Sequence, residues 1–120
     1  MWIIAKHGFL SIVQHDDDPD MLLVRGRVEG DIEYYFPEAE VTRNDKADYL
    51  YRATIDRGAV EDAIARAVYA IDYRAVKPAI ADKRRTMAYL AVWQELEDMQ
   101  EDLKEDDSGI RADGRKAKNA

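Results

Sequence analysis

Apolar and polar residues alternate along residues 22–28, with Leu22, Val24, Gly26 and Val28 on one parity and Leu23, Arg25 and Arg27 on the other. A period of two marks a strand with one buried face, so this segment is predicted as a strand. Residues 49–56 repeat the pattern: Tyr49, Tyr51, Ala53 and Ile55 form the apolar set, with Leu50, Arg52 and Thr54 opposite. Two shorter apolar runs open the chain, Trp2 to Ala5 and Phe9 to Gln14, and the Lys6-His7-Gly8 between them suits the turn of a β-hairpin. Pro19 makes the polar run from His15 to Asp20 a loop. Residues 40–43 read as a short edge strand followed by a turn over 44–48.

Helical spacing takes over elsewhere. Residues 31–36 lie between Gly30 and Pro37, which predicts a short helix capped by Asp31 and stopped by the proline. After Asp56, a second capping residue, Val60, Ile64, Val68 and Ile71 recur at three- and four-residue steps, with Ala63 and Ala67 small enough for close approach to a sheet. Lys77-Pro78 permits a helical first turn, and a long helix is predicted over residues 83–106. Its apolar stripe is Tyr89, Val92, Trp93, Leu96, Met99 and Leu103, and Glu95, Glu97, Asp98, Glu101 and Asp102 crowd the remaining surface.

The order hairpin, strand, helix, two strands, helix predicts the α+β class. It matches a ferredoxin-like antiparallel sheet in which the last strand is supplied from the N-terminus, a permuted split βαβ, with an N-terminal hairpin, two packing helices and a long acidic C-terminal helix. Segments 22–28 and 49–56 are then central neighbours whose apolar sets face the helices. Arg25, Arg27 and Arg52 share the opposite face. Residues 1–106 form a single domain in this reading, and residues 107–120, small, polar and basic, form a flexible tail.

Composition narrows the classes. With 120 residues, 47 % hydrophobic and 36 % charged, the chain has enough apolar material to bury a core without cross-links. It contains no cysteine, which excludes disulfides and thiolate metal sites and suits a reducing cytoplasm. The apolar run from Trp2 to Ala5 is too short for a signal sequence or a membrane span, so a soluble cytoplasmic protein without membrane contact is expected. The formal charge of −7 is uneven: residues 91–107 carry eight acids against Lys104, while residues 1–90 carry 13 bases against 16 acids. The body of the protein therefore has room for a local basic patch.

That patch is the first candidate for chemistry. Guanidinium forks on Arg25, Arg27 and Arg52 match a phosphate, a carboxylate or a nucleic-acid backbone. Phe9 adds a stacking surface if it shares their face, as in sheet-type RNA binders. The competing account is structural: outward arginines on an antiparallel sheet pair with acids such as Glu29, or lie beneath the acidic helix. The second candidate is the acidic helix, where Trp93, Leu96, Met99 and Leu103 are apolar anchors bordered by charge, suited to a protein partner. The same stripe at helical spacing also serves as ordinary core.

Other motifs fail. Asp16, Asp18 and Asp20 occupy positions one, three and five of a calcium loop, but Met21 stands where glycine is needed and Arg27 where a bidentate glutamate belongs. His7 and His15 read as turn residues, so no metal is expected. Ser11 has no nucleophile elbow, and neither phosphate-binding glycine motif occurs, so no catalytic residue and no cofactor are assigned.

The residues Trp2-Ile3, Gly8-Phe9, Ser11-Ile12-Val13-Gln14, Leu23-Val24-Arg25 with Arg27, Tyr49 with Tyr51-Arg52-Ala53, Ile71-Asp72-Tyr73 and Tyr89 with Val92-Trp93 form a recurring pattern. It resembles a family of small uncharacterised proteins of bacteria and of phages of actinobacteria. The resemblance spans most of residues 1–100 and implies a bacterial or phage setting; it carries no activity and no catalytic residues. The longer acidic helix end departs from the pattern. The functional expectation is therefore a non-catalytic intracellular binding or regulatory protein acting through a macromolecular partner, a protein first, with a nucleotide or RNA on the arginine face as the alternative.

Overall fold

Both alternating segments are strands in the computed structural model, which describes residues 1–107. They are β3 (Met21–Gly26) and β5 (Tyr51–Asp56), paired antiparallel with Val24 opposite Ala53. The N-terminal hairpin joins β1 (Trp2–Ala5) to β2 (Gly8–Gln14), β2 pairs with β3, and the two-residue β4 (Thr42–Arg43) edges β5. Every pairing is antiparallel, and the order across the sheet is β1-β2-β3-β5-β4. The chain divides into two compact units, Met1–Ala79 and a second beginning at Ile80.

The first unit holds the sheet, α1 (Asp31–Tyr35), α2 (Arg57–Tyr69) and the single turn α3 (Val76–Ala79). Period two puts Leu10 and Ile12 of β2, Val24 of β3 and Ala53 of β5 on one face, where Ile32 and Phe36 from α1 and its exit, and Val60 and Ala63 of α2, complete the core. Register aligns Ile12, Val24 and Ala53 in one row, so apolar side chains stack across three strands. Each large aliphatic side chain buried this way is worth about 1.5–3 kcal/mol.

The two helix starts differ from each other. Asp56 caps α2 as its position predicts: its carboxylate accepts the Ala59 N–H at 3.2 Å. The expectation for Asp31 is corrected. Gly30 is the N-cap of α1, at φ +94°, and Asp31 is the first helical residue, 3 % exposed, with its Oδ2 accepting the Phe9 N–H at 3.2 Å. Its carboxylate serves the β-hairpin instead of its own helix. A Cβ at Gly30 would meet no atom within 4 Å, so Gly30→Ala tests the backbone alone. The left-handed conformation is expected to cost about 1–2 kcal/mol, seen as a lower urea midpoint at unchanged slope; an unchanged midpoint would show that the turn relaxes freely.

Element ends also depart from expectation. β3 stops at Gly26, leaving Arg27 and an exposed Val28 in a bend, and β5 begins at Tyr51, leaving Tyr49 outside the ladder. On α2 the buried positions end with Val60 and Ala63, with Ile64 half-buried, whereas Val68 and Ile71 are 62 % and 52 % exposed. Helical spacing is real there, but in its second half the apolar side chains line a groove shared with Ile3 and Ala5 of β1 instead of being buried.

In the second unit α4 runs over Lys83–Asp107, one residue longer than predicted. Asp82 precedes it, its Oδ1 accepting the backbone N–H of Arg84 at 2.8 Å and of Arg85 at 3.4 Å. No helix among the described residues is long and apolar enough to cross a membrane. The tail expected over 107–120 lies, from residue 108 onward, outside the described residues.

Candidate binding surfaces

On the face turned away from α1 and α2, strand register assembles one continuous row. Trp2 stands opposite Ser11, Ser11 opposite Arg25, Arg25 opposite Arg52 and Arg52 opposite Thr42, so the row crosses all five strands. Two of the three predicted arginines are thus direct cross-strand partners at the sheet centre. The Arg25 Nη2 donates to Ser11 Oγ at 2.8 Å, and Ser11 is 1 % exposed, which fixes one end of that guanidinium. The Nε atoms of Arg25 and Arg52 are both buried, without a hydrogen-bond partner among the described residues. Among the described residues neither arginine forms an ion pair.

Arg27 behaves differently. Because β3 has ended, its side chain swings to the bend before β5, where Nη1 donates to the Asp48 backbone oxygen at 2.9 Å and pairs with the Asp48 carboxylate at 3.4 Å. The pairing acid is Asp48 and not Glu29. Arg43 is likewise matched: its Nε meets Asp45 at 2.6 Å, and that hydrogen bond, with the carboxylate's charge, raises the Arg43 pKa above its ordinary value.

Tyr49 is the residue that sequence reasoning misplaced. Strand parity assigned it to the core face, yet outside the ladder its ring turns to the arginine side. The Cζ atoms of Arg25 and Arg27 lie 4.6 and 4.0 Å from its centroid, and Phe9 is parallel to it at 6.5 Å. Trp2 meets Phe9 edge-on at 5.9 Å, so Phe9 does share this face. Tyr49 is only 4 % exposed, its π-surface already used by the two cations. The adjacent turn residues 44–48 were the available sign that parity counted from residue 49 was unsafe.

The chain stands apart in the comparisons: no family model, curated protein or solved structure matches it.

The second surface lies on α4. Tyr89 is buried, while Val92, Trp93, Leu96 and Met99 are exposed and Leu103 is half-buried. Apart from the adjacent Val92 and Trp93, these residues follow one another at three- and four-residue steps and so share one stripe. Glu95, Glu97, Asp98, Glu101 and Asp102 border it; Lys104 pairs with Glu101 at 3.0 Å, and Gln94 donates to Asp98 at 3.0 Å. Trp93, Leu96, Met99 and Leu103 all lie on this stripe of α4, the first three about half exposed.

In the aspartate loop the Asp20 N–H donates to Asp18 Oδ1 at 2.9 Å and the Asp17 N–H to His15 Nδ1 at 3.2 Å, bonds that shape a turn. An apolar groove of about 490 Å³ is lined by Ile3, Ala5, Tyr34, Tyr35, Ile64 and Tyr73, with His7 stacked on Tyr34 at 4.0 Å.

Proposed function

We propose that this chain is a binding protein whose α4 docks a basic protein partner through Trp93, Leu96, Met99 and Leu103. One observation carries the reading: a stripe in which Trp93, Leu96 and Met99 are about half exposed, set in a segment with eight acids against one lysine. Isolated exposed apolar residues need no explanation, but a contiguous stripe at helical spacing is the pattern of a helix-in-groove contact. The acids decide the partner's chemistry. A second copy would bring two such acidic segments within a Debye length of about 8 Å, whereas a basic amphipathic surface is attracted to both the anchors and the rim.

The first unit is read as the scaffold, a permuted ferredoxin-like sheet. The order β2-β3-β5-β4, with α1 between β3 and β4 and α2 after β5, supports a split βαβ whose missing strand is β2, with β1 added at the edge.

A basic helical peptide with a leucine stripe, titrated into the full chain and followed by tryptophan fluorescence, tests the docking surface. Binding is expected to weaken at least about tenfold in a Leu96→Ser/Met99→Ser variant and to fall with added salt. Equal binding by the variant, or by a peptide whose leucines are replaced with serine at the same charge, removes the apolar stripe as the contact. Sedimentation of the chain alone is expected to show a monomer.

A further inference from the structure

We infer that the Arg25–Arg52 pair, on the sheet face turned away from α1 and α2, is a binding site for a phosphate group, free or borne on a small molecule. Independently of α4, the inference starts from an arrangement that is unfavourable as it stands. Like charges directly opposite on neighbouring strands repel, and here both partners carry guanidinium groups. Among the described residues, Asp48 supplies a carboxylate to Arg27 and Asp45 one to Arg43, and none pairs with either member of this pair. Each also keeps a buried Nε–H with no protein acceptor among the described residues, a state that calls for an explanation. One tetrahedral oxyanion would neutralise the repulsion and offer acceptors to both forks.

Local geometry gives the anion a place. Arg52, but not Arg25, lines a recess of about 310 Å³ together with Leu23, Thr42 and Thr54, and Glu40 also lines it without an ion pair to Arg52. Ser11 holds the Arg25 guanidinium at 2.8 Å, so one cation is oriented before anything binds. Both arginines are half-buried. The same face argues against RNA. Base stacking needs open aromatic rings, and Tyr49 is 4 % exposed beneath Arg25 and Arg27, leaving Trp2 at the far end of the row as the open ring. The face offers forks for a compact oxyanion.

Thermal unfolding of the full chain in inorganic phosphate, with chloride at matched ionic strength as reference, is the test. A saturable rise in Tm of about 3–8 °C is expected at phosphate well above its Kd. Arg52→Gln should abolish the rise while leaving the Tm in chloride unchanged or higher, because it removes the repulsion; Arg52→Lys, which keeps the charge and loses the fork, should weaken phosphate by about tenfold. Glu40→Gln should tighten it. Adenosine monophosphate tested beside inorganic phosphate separates a bound metabolite from the free ion. A Tm equal in phosphate and chloride, or a rise that persists in Arg52→Gln, overturns the site. A single-stranded oligouridylate that binds more than about a hundredfold tighter than the monophosphate also overturns it, in favour of RNA.

Discussion

Replacing Ile32 by alanine is expected to lower the free energy of unfolding by about 2–5 kcal/mol, the range for emptying a fully enclosed aliphatic site. Ile32 is 0 % exposed and sits in the core cluster with Leu10, Ile12 and Val24, and it lies so close to β3 that a Cβ on Gly26 would meet its Cγ1 at 3.4 Å. α1 has only five residues, far below the length at which a helix holds its shape alone. The contacts of Ile32 and Phe36 must therefore keep it folded. Val68→Ala is the matched comparison, since Val68 is equally apolar in sequence and 62 % exposed in structure; its cost should stay within about 0.5 kcal/mol. Urea titration of both variants at unchanged slope measures the difference. A loss at Ile32 no greater than at Val68 would mean that α1 is not part of the cooperative unit.

The second large effect is expected at Gly8→Ala. A Cβ built there falls 2.8 Å from the Asp31 Cγ and 3.0 Å from its Cβ and Oδ2, closer than real contacts allow. Asp31 is itself buried and its carboxylate accepts the Phe9 N–H, so it has little room to retreat. Overpacking alone costs about 1–3 kcal/mol, and displacing the carboxylate would leave the Phe9 N–H unpaired, for about 1–3 kcal/mol more. Removing the obstacle should give part of this back: in an Asp31→Ala background the Cγ and Oδ2 are gone, and Gly8→Ala should cost less by about 0.5–3 kcal/mol. Strict additivity in that double-mutant cycle would refute the contact as the cause.

Much of the fold is legible in local pattern. Alternation over residues 22–28 and 49–56 and the spacing from Val60 to Ile64 predict β3, β5 and α2, because the requirement to bury one face acts on each element separately. The hairpin, the short helix before Pro37, the edge strand and the long helix follow in the same way. What local pattern misreads is where an element stops. Arg27 was counted with Arg25 by parity, but parity holds only inside a ladder, and β3 ends between them. Tyr49 failed for the same reason at the start of β5, and in failing it became the ring that Arg25 and Arg27 cover.

Asp31 shows a different limit. An aspartate before an apolar helical run is a capping residue by any local rule, yet its acceptor went to Phe9, which is 22 residues earlier in the chain. Only Gly8, without a side chain, lets that carboxylate approach the hairpin.

Inside the strands the residue pattern alone settled which side chains share a face, because burial of apolar side chains imposes a period of two, and it failed only beyond the ladder ends, at Arg27 and Tyr49. Register was decided by tertiary structure, since hydrogen-bonded pairing across β2, β3 and β5 depends on all three strands together. That register sets Arg25 against Arg52 and gives Arg27 to Asp48. The arginines were visible in the sequence; their opposition, and the Nε atoms it leaves buried and unpaired, belong to the assembled sheet.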